Sequence, residues 1–412
     1  MGTQLQVRWW DGSVVGHLVH RGAVYFVYDE SWLRRGLNLS PISLPFTDMA
    51  FNGSKSGKGI EGLPGLIADC LPDAWGRKVA RAEFAARKWG EPGIMSLLAW
   101  RGRRGLGGLG FEPATDTDDS KLEQVSAKAL ARGAAEIERG SPSEVLPQLI
   151  RGGTAGGALP KSIVLAYPDG TLRVGEPDGE GKPSLLKFDA SEDGIHARCE
   201  HVFARMARMA GIDAVETRLI DESGDSQKRH LLVKRFDVAD PTSHSPNSLR
   251  RHFHTAGGLL HKEPTVLDYR DLFRLALRLH ADPSQLREIA RRMIFNVMAS
   301  NMDDHAKNHA FQMDEESELW SLTPAYDMTF SPGLLSRGMT VSDETWPTSV
   351  TMEALCRDAG LRKEEYRSIF EAIDSSLQKW TELAKGEGVP EVKIREVSDR
   401  FGRIRETVIQ GS

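Results

Sequence analysis

The sequence predicts an α+β protein, with strands in two parts of the first 240 residues and helices in most of the rest. Near the N-terminus, short β-branched and aromatic runs are separated by Asp11-Gly12, as in strands joined by tight turns. After a turn-rich segment that follows Asp240, almost all apolar residues recur at helical spacing. Four further strand-like runs lie in the middle of the chain, at 162–167, 184–188, 215–220 and 230–236.

Length and composition are typical of a chain with two to three globular domains. The protein has 412 residues, of which 40% are hydrophobic and 27% are charged, and a domain averages roughly 150 residues. We expect a β-rich N-terminal domain with a helix over 1–111, a second β-rich domain over 112–239 and an all-α domain over 240–412. The acidic run A-T-D-T-D-D-S at 114–120 is the expected linker between the first two.

Several classes of protein do not fit this composition. No stretch of 18 consecutive apolar residues occurs, so we expect no membrane span, and the N-terminus lacks the layout of a signal peptide. The three cysteines are odd in number and far apart. They fit neither a disulfide framework nor a paired zinc site, so the cytoplasm is the expected location. The net charge of −5 does not favour binding of the whole molecule to nucleic acid.

The strongest candidate for chemistry is N-M-D-D-H-A-K-N at 301–308, directly after a predicted helix. Phosphoryl transfer needs a carboxylate that orients the attacking hydroxyl, and oxygen ligands for the magnesium that bridges the nucleotide phosphates. Asp303 precedes Asn308 by five residues, whereas Asp304 precedes it by four. The five-residue spacing can divide these roles on a tight loop. We therefore predict Asp303 as the base, and Asn308 with Asp327 of the later L-T-P-A-Y-D-M segment as the magnesium ligands.

Two other interpretations of this segment stay open. Asp and Asn commonly cap backbone groups in a solvated loop at a helix end. His305 and His309 lie four residues apart, which is the spacing of two zinc ligands on a helix. The segment lacks the Glu of the H-E-x-x-H arrangement, so the zinc interpretation leaves no general base.

A glycine-rich segment at 152–157 is the second candidate. Its glycines would let backbone N–H groups approach a phosphate closely, with Thr154 at the tip. The segment matches neither G-x-G-x-x-G nor the Walker sequence, so an ordinary loop or hairpin turn is the alternative. The glycines are Gly152, Gly153, Gly156 and Gly157.

Lys187 in the apolar run S-L-L-K-F is the third candidate. An ammonium group is costly to bury without a partner. Glu200, at the margin of the apolar stripe of the next helix, is the predicted partner, and together they would position nucleotide phosphates. Alternatively, Lys187 extends to solvent from an edge strand and Glu200 is a surface charge.

The order of these elements favours a protein-kinase-like bilobal core. A Gly-rich segment, a strand lysine, a helix glutamate and two strands are followed by a helical half with D-x-x-x-x-N and a later Asp. Each element falls where a kinase requires it. We therefore expect a mixed β-sheet N-lobe and an all-α C-lobe, preceded by an extra N-terminal β-rich subdomain.

Five segments together resemble the HipA-type serine/threonine kinases of bacterial toxin–antitoxin modules, over about residues 1–400. The resemblance implies a kinase-like core, ATP and magnesium, and a helix-turn-helix antitoxin partner bound to operator DNA. The segments are L-P-D-A-W-G-R (71–77), G-G-T-A-G-G-A-L-P-K (152–161), L-L-V-K-R-F-D (231–237), F-N-V-M-A-S-N-M-D-D-H-A-K-N-H-A-F (295–311) and L-T-P-A-Y-D-M (322–328).

The resemblance also assigns roles to individual residues. Asp303 resembles the catalytic base, and Asn308 and Asp327 resemble the metal ligands. Thr154 falls at the position of an autophosphorylated serine, and Lys187 resembles the phosphate-binding lysine. Backbone atoms of the hinge are expected to hold adenine. The complete expected ATP-binding set is Gly153, Thr154, Ala155, Gly156, Gly157, Lys187, Glu200, Lys234, Phe236, His305 and Lys307.

The sequence departs from the family pattern at three places. The loop hydroxyl is Thr154 rather than Ser, and Lys234 replaces an acidic hinge residue. The segment F-H-T-A-G-G-L-L (253–260) replaces a Q-E-D stretch, which indicates a divergent subgroup. Two residues after the base, ordinary protein kinases have Lys where this chain has His305, and Lys307 could supply that charge instead.

A basic stretch between 77 and 104 is a candidate DNA-binding surface, with a solvated helix face and a basic loop as the alternative. It contains eight cationic residues: Arg77, Lys78, Arg81, Arg87, Lys88, Arg101, Arg103 and Arg104.

These observations predict an ATP- and magnesium-dependent serine/threonine protein kinase. It would act as the toxin of a toxin–antitoxin module and phosphorylate a cellular protein. Aminoacyl-tRNA synthetases are substrates of known relatives, but nothing in this sequence encodes that choice. Two rivals stay open: a small-molecule phosphotransferase of the aminoglycoside-kinase kind, and a DNA-associated, antitoxin-binding pseudokinase.

Overall fold

The chain folds into two compact units. Unit 1 comprises Met1–Ala197 and Thr217–Phe253, and unit 2 comprises Arg198–Glu216 and His254–Ser412. The predicted three-domain division stays a prediction, and most of the predicted linker lies outside the described residues. The structure is a computed structural model that describes residues 4–55, 60–115, 122–153, 156–191, 193–222, 228–238, 250–333 and 336–410.

An antiparallel five-stranded sheet forms the N-terminal part of unit 1. Its strands are β1 (Gln4–Trp9), β2 (Val14–His20), β3 (Val24–Tyr28), β4 (Phe51–Asn52) and β5 (Leu109–Glu112), in the order β4-β3-β2-β1-β5. The turn predicted at Asp11-Gly12 is present: Ser13 N donates to Asp11 Oδ1 at 2.8 Å, and Gly12 has a φ of +90°. The helices are α1 (Glu30–Arg35), α2 (Gly65–Ala68), α3 (Ala74–Ala86) and α4 (Ile94–Arg101).

A second antiparallel sheet, with six strands, completes unit 1. Its strands are β6 (Glu123–Val125), β7 (Lys161–Ala166), β8 (Leu172–Val174), β9 (Lys182–Lys187), β10 (Thr217–Asp221) and β11 (Arg229–Lys234), in the order β10-β11-β9-β7-β8-β6. Helices α5 (Ala127–Glu138) and α6 (Leu146–Gly152) cover one face together with α3. Trp75, Leu130 and Leu186 are buried in the core between them. Because side chains alternate along a strand, Lys187 lies on the face opposite to Leu186.

Unit 2 is mainly helical, and α7 (Ile195–Met209) leads into it from unit 1. It also carries a small three-stranded sheet that the sequence did not predict. The strands, in the order β12-β13-β14, are β12 (Phe253–Thr255), β13 (Ala310–Met313) and β14 (Trp320–Leu322). The other helices are α8 (Ala256–Leu260), α9 (Tyr269–Arg278), α10 (Pro283–Met298), α11 (Ser349–Asp358), α12 (Lys363–Leu377), α13 (Trp380–Gly386) and α14 (Glu391–Gln410).

Helix α10 is the central scaffold of unit 2. Asp282 caps its N-terminus by accepting a hydrogen bond from Ser284 N at 2.8 Å, and Pro283 occupies the first turn. Its buried side chains include Ile289, Met293 and Phe295. The 301–308 segment therefore begins directly after a well-packed helix.

The predicted α+β class is confirmed, with sheets in both units and helices dominating unit 2. Across the described ranges, no helix is both long and apolar enough to cross a membrane.

Candidate active site

The 301–308 segment begins where α10 ends. Ser300 takes a left-handed conformation with a φ of +54°, which turns the chain sharply out of the helix. A short 3-10 turn, Ala306–Asn308, closes the segment before β13. The two adjacent carboxylates of the motif are thus held between a helix end and a strand.

Asp303 and Asp304 have opposite environments. Asp303 is exposed, whereas Asp304 is completely buried. The backbone fixes the position of Asp303, because its N–H donates to Ser331 Oγ at 3.0 Å and its carbonyl accepts from Asn308 Nδ2 at 3.1 Å. The Asp303 side chain is therefore accessible to a substrate, and the amide of Asn308 is held beside it.

Asp304 lies in a buried polar cluster. Its two oxygens accept hydrogen bonds from Tyr269 Oη at 2.6 Å and from His309 Nε2 at 2.8 Å. Burial opposes the charged form, but His309 and the Tyr269 hydroxyl outweigh it, and the pKa of Asp304 is lowered. Burial, followed by the charge of Asp304, raises the pKa of Tyr269 well above its usual range. Asp304 therefore anchors the loop to α9.

The same contacts bear on the zinc interpretation. His309 is buried and its Nε2 is bonded to Asp304. Within the described part of the chain, no group of three His, Cys, Asp or Glu side chains could hold a metal ion. Nothing in this part of the structure supports a zinc site at His305 and His309.

Asn301 joins the segments that carry the predicted base and the predicted metal ligand Asp327. Its Nδ2 donates to Asn296 Oδ1 at 3.1 Å and to the carbonyl of Asp327 at 3.3 Å. Its Oδ1 accepts from Ser331 Oγ at 2.9 Å, and Ser331 Oγ in turn accepts from the N–H of Asp303. One buried amide thus fixes both segments.

A second link lies next to the predicted metal ligands. Tyr326 Oη donates to the carbonyl of Lys307 at 2.7 Å, and these residues precede Asp327 and Asn308 respectively. Asp327 has a φ of +55°, a backbone conformation that is uncommon for a residue other than glycine. A pocket lined by Asn308, Tyr326 and other residues lies between the two segments. The segments of both predicted ligands are therefore bound to each other.

The predicted nucleotide-binding residues of unit 1 lie around the second sheet. Lys187 is half-buried at the end of β9. Since β9 pairs with β7 and β11, it is an interior strand and not the edge strand of the alternative interpretation. Lys234 is exposed at the end of β11, and Phe236 packs edge-on against Phe253, with ring centroids 5.2 Å apart. Glu200 belongs to unit 2, so its pairing with Lys187 stays a prediction.

The Gly-rich segment is described only in part. Gly153 caps α6 with a φ of +69°, and a Cβ there would lie 2.2 Å from the carbonyl oxygen of Arg104. Gly157 has a φ of +114°. Thr154 and Ala155 lie outside the described residues, so the predicted autophosphorylation of Thr154 stays a prediction. His305 is half-buried and Lys307 is exposed.

Four cations of the basic stretch form ion pairs with neighbouring carboxylates, and a fifth is buried. Arg101 is buried and donates to the carbonyls of Gly102, Leu106 and Leu109. Several other cations of the stretch form ion pairs: Arg77 with Glu61, Lys78 with Glu138, Arg81 with Glu91, and Arg87 with Glu83. These contacts favour the solvated-face interpretation, and DNA contact stays a prediction.

Comparison with protein families assigns the chain. The model of the HipA N-terminal domain matches residues 5–112, and the model of the HipA-like C-terminal domain matches residues 153–380, more than half of the chain. The chain belongs to the HipA family. The resemblance inferred from the five sequence segments is thereby confirmed.

Similar proteins extend this assignment. "Putative kinase Y4dM" of Sinorhizobium fredii is 23% identical to this HipA family chain over 275 residues, which are 65% of the chain and 62% of that relative. This chain therefore spans less than two thirds of that relative's length. HipA of Shewanella oneidensis MR-1, solved with HipB and operator DNA, superposes with a TM-score of 0.68 at 16% identity, over 99% of this chain and 97% of that one. The shared fold is thus that of HipA.

A third similarity is weaker. The Helicobacter pylori proinflammatory kinase CtkA gives a TM-score of 0.33 at 12% identity, over 57% of this chain and 97% of CtkA. This score is too low to support an argument about the HipA family chain.

Sequence reasoning overlooked several residues of this HipA family chain. Asn301 and Ser331 connect the predicted base to the predicted metal ligand, and Lys161 contacts the Gly-rich segment. Asn301 and Lys161 lie within two of the five segments that resemble the family, so the sequence does point to their positions. Their contacts depend on the tertiary fold and could not be derived from spacing.

Proposed function

We propose that this HipA family chain is an ATP- and magnesium-dependent serine/threonine protein kinase that acts as the toxin of a bacterial toxin–antitoxin module. The observation that carries the proposal is the difference in environment between Asp303 and Asp304. One carboxylate is exposed next to Asn308, and the other is buried as an anchor. A phosphotransferase needs such an accessible carboxylate at a fixed position.

The proposed reaction transfers the γ-phosphoryl group of ATP to a protein hydroxyl. Asp303 accepts a hydrogen bond from that hydroxyl, orients its oxygen toward the γ-phosphorus and takes its proton as the new P–O bond forms. The bond to the β-phosphate oxygen breaks and ADP leaves. Lys187 would hold the phosphates, with Glu200 orienting the ammonium group.

The donor set of the site fits magnesium. Magnesium is usually held by one or two carboxylates, with phosphate oxygens and water completing its shell, and when bound it neutralises charge on the phosphates. Asn308 and Asp327 supply oxygen ligands of this kind. Their segments are joined by the Tyr326–Lys307 hydrogen bond, and the Nδ2 of Asn308 is held by the carbonyl of Asp303. This contact leaves the amide oxygen for the metal.

The partners are part of the proposal. The Shewanella oneidensis structure is a toxin–antitoxin complex of HipA, HipB and operator DNA. We infer for this chain a helix-turn-helix antitoxin, contact with operator DNA through that antitoxin, a protein substrate and a cytoplasmic location. Co-purification with the product of an adjacent small helix-turn-helix reading frame tests the antitoxin.

Thermal unfolding with and without nucleotide tests the enzyme proposal. A ligand at about 100 times its Kd stabilises the native state by about 2.7 kcal/mol, so saturating MgATP should raise the Tm by several degrees. Asp327→Asn should abolish the part of this shift that depends on magnesium. An unmoved Tm for the wild type would favour the pseudokinase.

The acceptor is tested by transfer of labelled γ-phosphate in the presence of cell proteins and of aminoglycosides. Label on proteins supports the proposal. Label on aminoglycosides alone would identify the small-molecule phosphotransferase instead.

A further inference from the structure

The L-P-D-A-W-G-R segment at 71–77 has no role in the reaction proposed above, yet two of its side chains converge on one residue. Asp73 caps α3 by accepting a hydrogen bond from Gly76 N at 2.7 Å through its Oδ1. Its Oδ2 lies 3.8 Å from Lys161 Nζ. Trp75 is buried and donates from Nε1 to the carbonyl of Lys161 at 2.7 Å. The segment therefore fixes both the backbone and the ammonium group of Lys161.

Lys161 extends this contact to the Gly-rich segment. Its side chain is only 3% exposed, and Nζ donates to the carbonyl of Gly156 at 2.6 Å. A Cβ at Gly157 would lie 2.2 Å from the same nitrogen, so the ammonium group packs directly against the backbone there. A buried ammonium group needs such partners, because its desolvation is costly. Asp73, Lys161 and Gly156 thus form a continuous chain of polar contacts.

The position of Lys161 in the sheet connects this chain to phosphate binding. Lys161 on β7 lies directly opposite Lys187 on β9 in the antiparallel register. Directly opposite side chains share a face of the sheet, and two like charges there are unfavourable in the absence of an anion. The Asp73 carboxylate offsets the Lys161 charge, and a nucleotide phosphate bound at Lys187 would add a further anion on this face of the sheet.

We propose that Asp73 and Lys161 are positioning residues that hold Gly156 and Gly157 of the Gly-rich segment in place for nucleotide binding, which gives the 71–77 segment a role in nucleotide affinity. This inference rests on the proposed function for its nucleotide part. The anchoring of the segment is independent of that function.

Asp73→Asn is the decisive variant. Asn caps helices as well as Asp does, so α3 keeps its N-cap while the charge facing Lys161 is lost. In the nucleotide-free protein, the NMR order parameters of the Gly156 and Gly157 backbone N–H groups should fall toward the flexible range, below about 0.6, whereas those within α3 should stay unchanged. Lys161→Met should lower them further, and Lys161→Arg should lower them less than Lys161→Met does. Asp282→Asn, the same substitution at the exposed N-cap of α10, is the matched control.

The nucleotide part is measured by the Kd for MgATP and by steady-state kinetics. Loss of a charged contact should raise the Kd and the KM for ATP about tenfold in Asp73→Asn, while kcat at saturating ATP changes less than about threefold because the base is untouched. A merely structural defect would lower kcat and the Tm together.

Three experimental outcomes would contradict the anchor, its role in nucleotide affinity or the proposed function. Unchanged order parameters at Gly156 and Gly157 in both Asp73→Asn and Lys161→Met contradict the anchor. Lowered order parameters with an unchanged Kd contradict its role in nucleotide affinity. A wild-type protein that binds no nucleotide contradicts the proposed function, and the order parameters still decide whether the anchor exists.

Discussion

Substitution of the two adjacent carboxylates by Asn should have opposite effects on activity and stability. Asp303→Asn keeps the shape of the side chain but removes the proposed proton acceptor. Positioned general bases contribute roughly 10²–10⁴-fold, so the single-turnover rate of phosphorylation at saturating MgATP should fall by that factor. Asp303 is exposed, and surface substitutions usually change stability by less than about 0.5 kcal/mol. The Tm should therefore stay within about 2 °C of the wild type.

Asp304→Asn should instead destabilise unit 2. The carboxylate accepts from Tyr269 Oη and His309 Nε2, and an amide can accept from one of these donors while its own N–H₂ faces the other. Removal of a buried, hydrogen-bonded carboxylate charge costs about 3 kcal/mol. With a Tm change of about 2–4 °C per kcal/mol for a domain of this size, the Tm should fall by roughly 10 °C. Below that temperature, much of the phosphorylation rate should remain.

The reverse pattern would contradict the assignment of Asp303. An inactive Asp304→Asn with a normal Tm, beside an active Asp303→Asn, would identify Asp304 as the base. Circular dichroism melts and single-turnover assays of both variants, made at a temperature where both are folded, give the answer.

Three further predictions concern the surroundings of the site. Lys187→Met should weaken MgATP binding at least tenfold in calorimetric titrations, because the phosphates lose a charge-assisted partner; unchanged affinity would contradict its role. Asn301→Ala should lower kcat about 10²-fold, because the predicted base would be misplaced. Ser300→Ala is the control: it removes a neighbouring buried hydroxyl that is bonded to Arg400, and kcat should stay unchanged. Equal losses in both variants would indicate a general packing effect. Burial raises the pKa of Asp189, but hydrogen bonds from His196 and other groups outweigh it and lower that pKa to about 2. The charged carboxylate therefore contributes about 2 kcal/mol to the free energy of unfolding above pH 4, and this contribution is lost as the pH falls toward 2. Urea melts of the wild type and of Asp189→Asn should differ less and less over that pH range.

The broad architecture was accessible from the sequence because it depends on local patterns. Alternating apolar residues predicted the strands, and Asp11-Gly12 predicted a hairpin turn that is present. The short strands β13 and β14 were missed, because four and three residues are too few to establish a period of two. Their pairing depends instead on the turn between them.

The candidate site, too, could be predicted only in part from the sequence. Spacing alone separated Asp303 from Asp304, because neighbouring residues on a loop leave the backbone in different directions, and the exposure of the two side chains agrees with that separation. The contacts of Asn301 were not accessible from spacing. They join residues 26 and 30 positions apart in the chain, and only the packing of α10 against the later segments brings these together.

The buried polar contacts around Asn301 hold the segment that carries the predicted base. On a mobile surface loop, Asp303 would sample many conformations. The entropy cost of fixing it in one of them would then add to the barrier of the reaction. Here the backbone of Asp303 is held on both sides, by Ser331 and by Asn308. Asn301 ties Ser331 to the carbonyl of Asp327. A displacement of the segment that carries Asp327 is thereby transmitted to the predicted base through three hydrogen bonds. The predicted base and the predicted metal ligand are consequently not independent, and substitutions at Asn301 and Ser331 should be strongly non-additive.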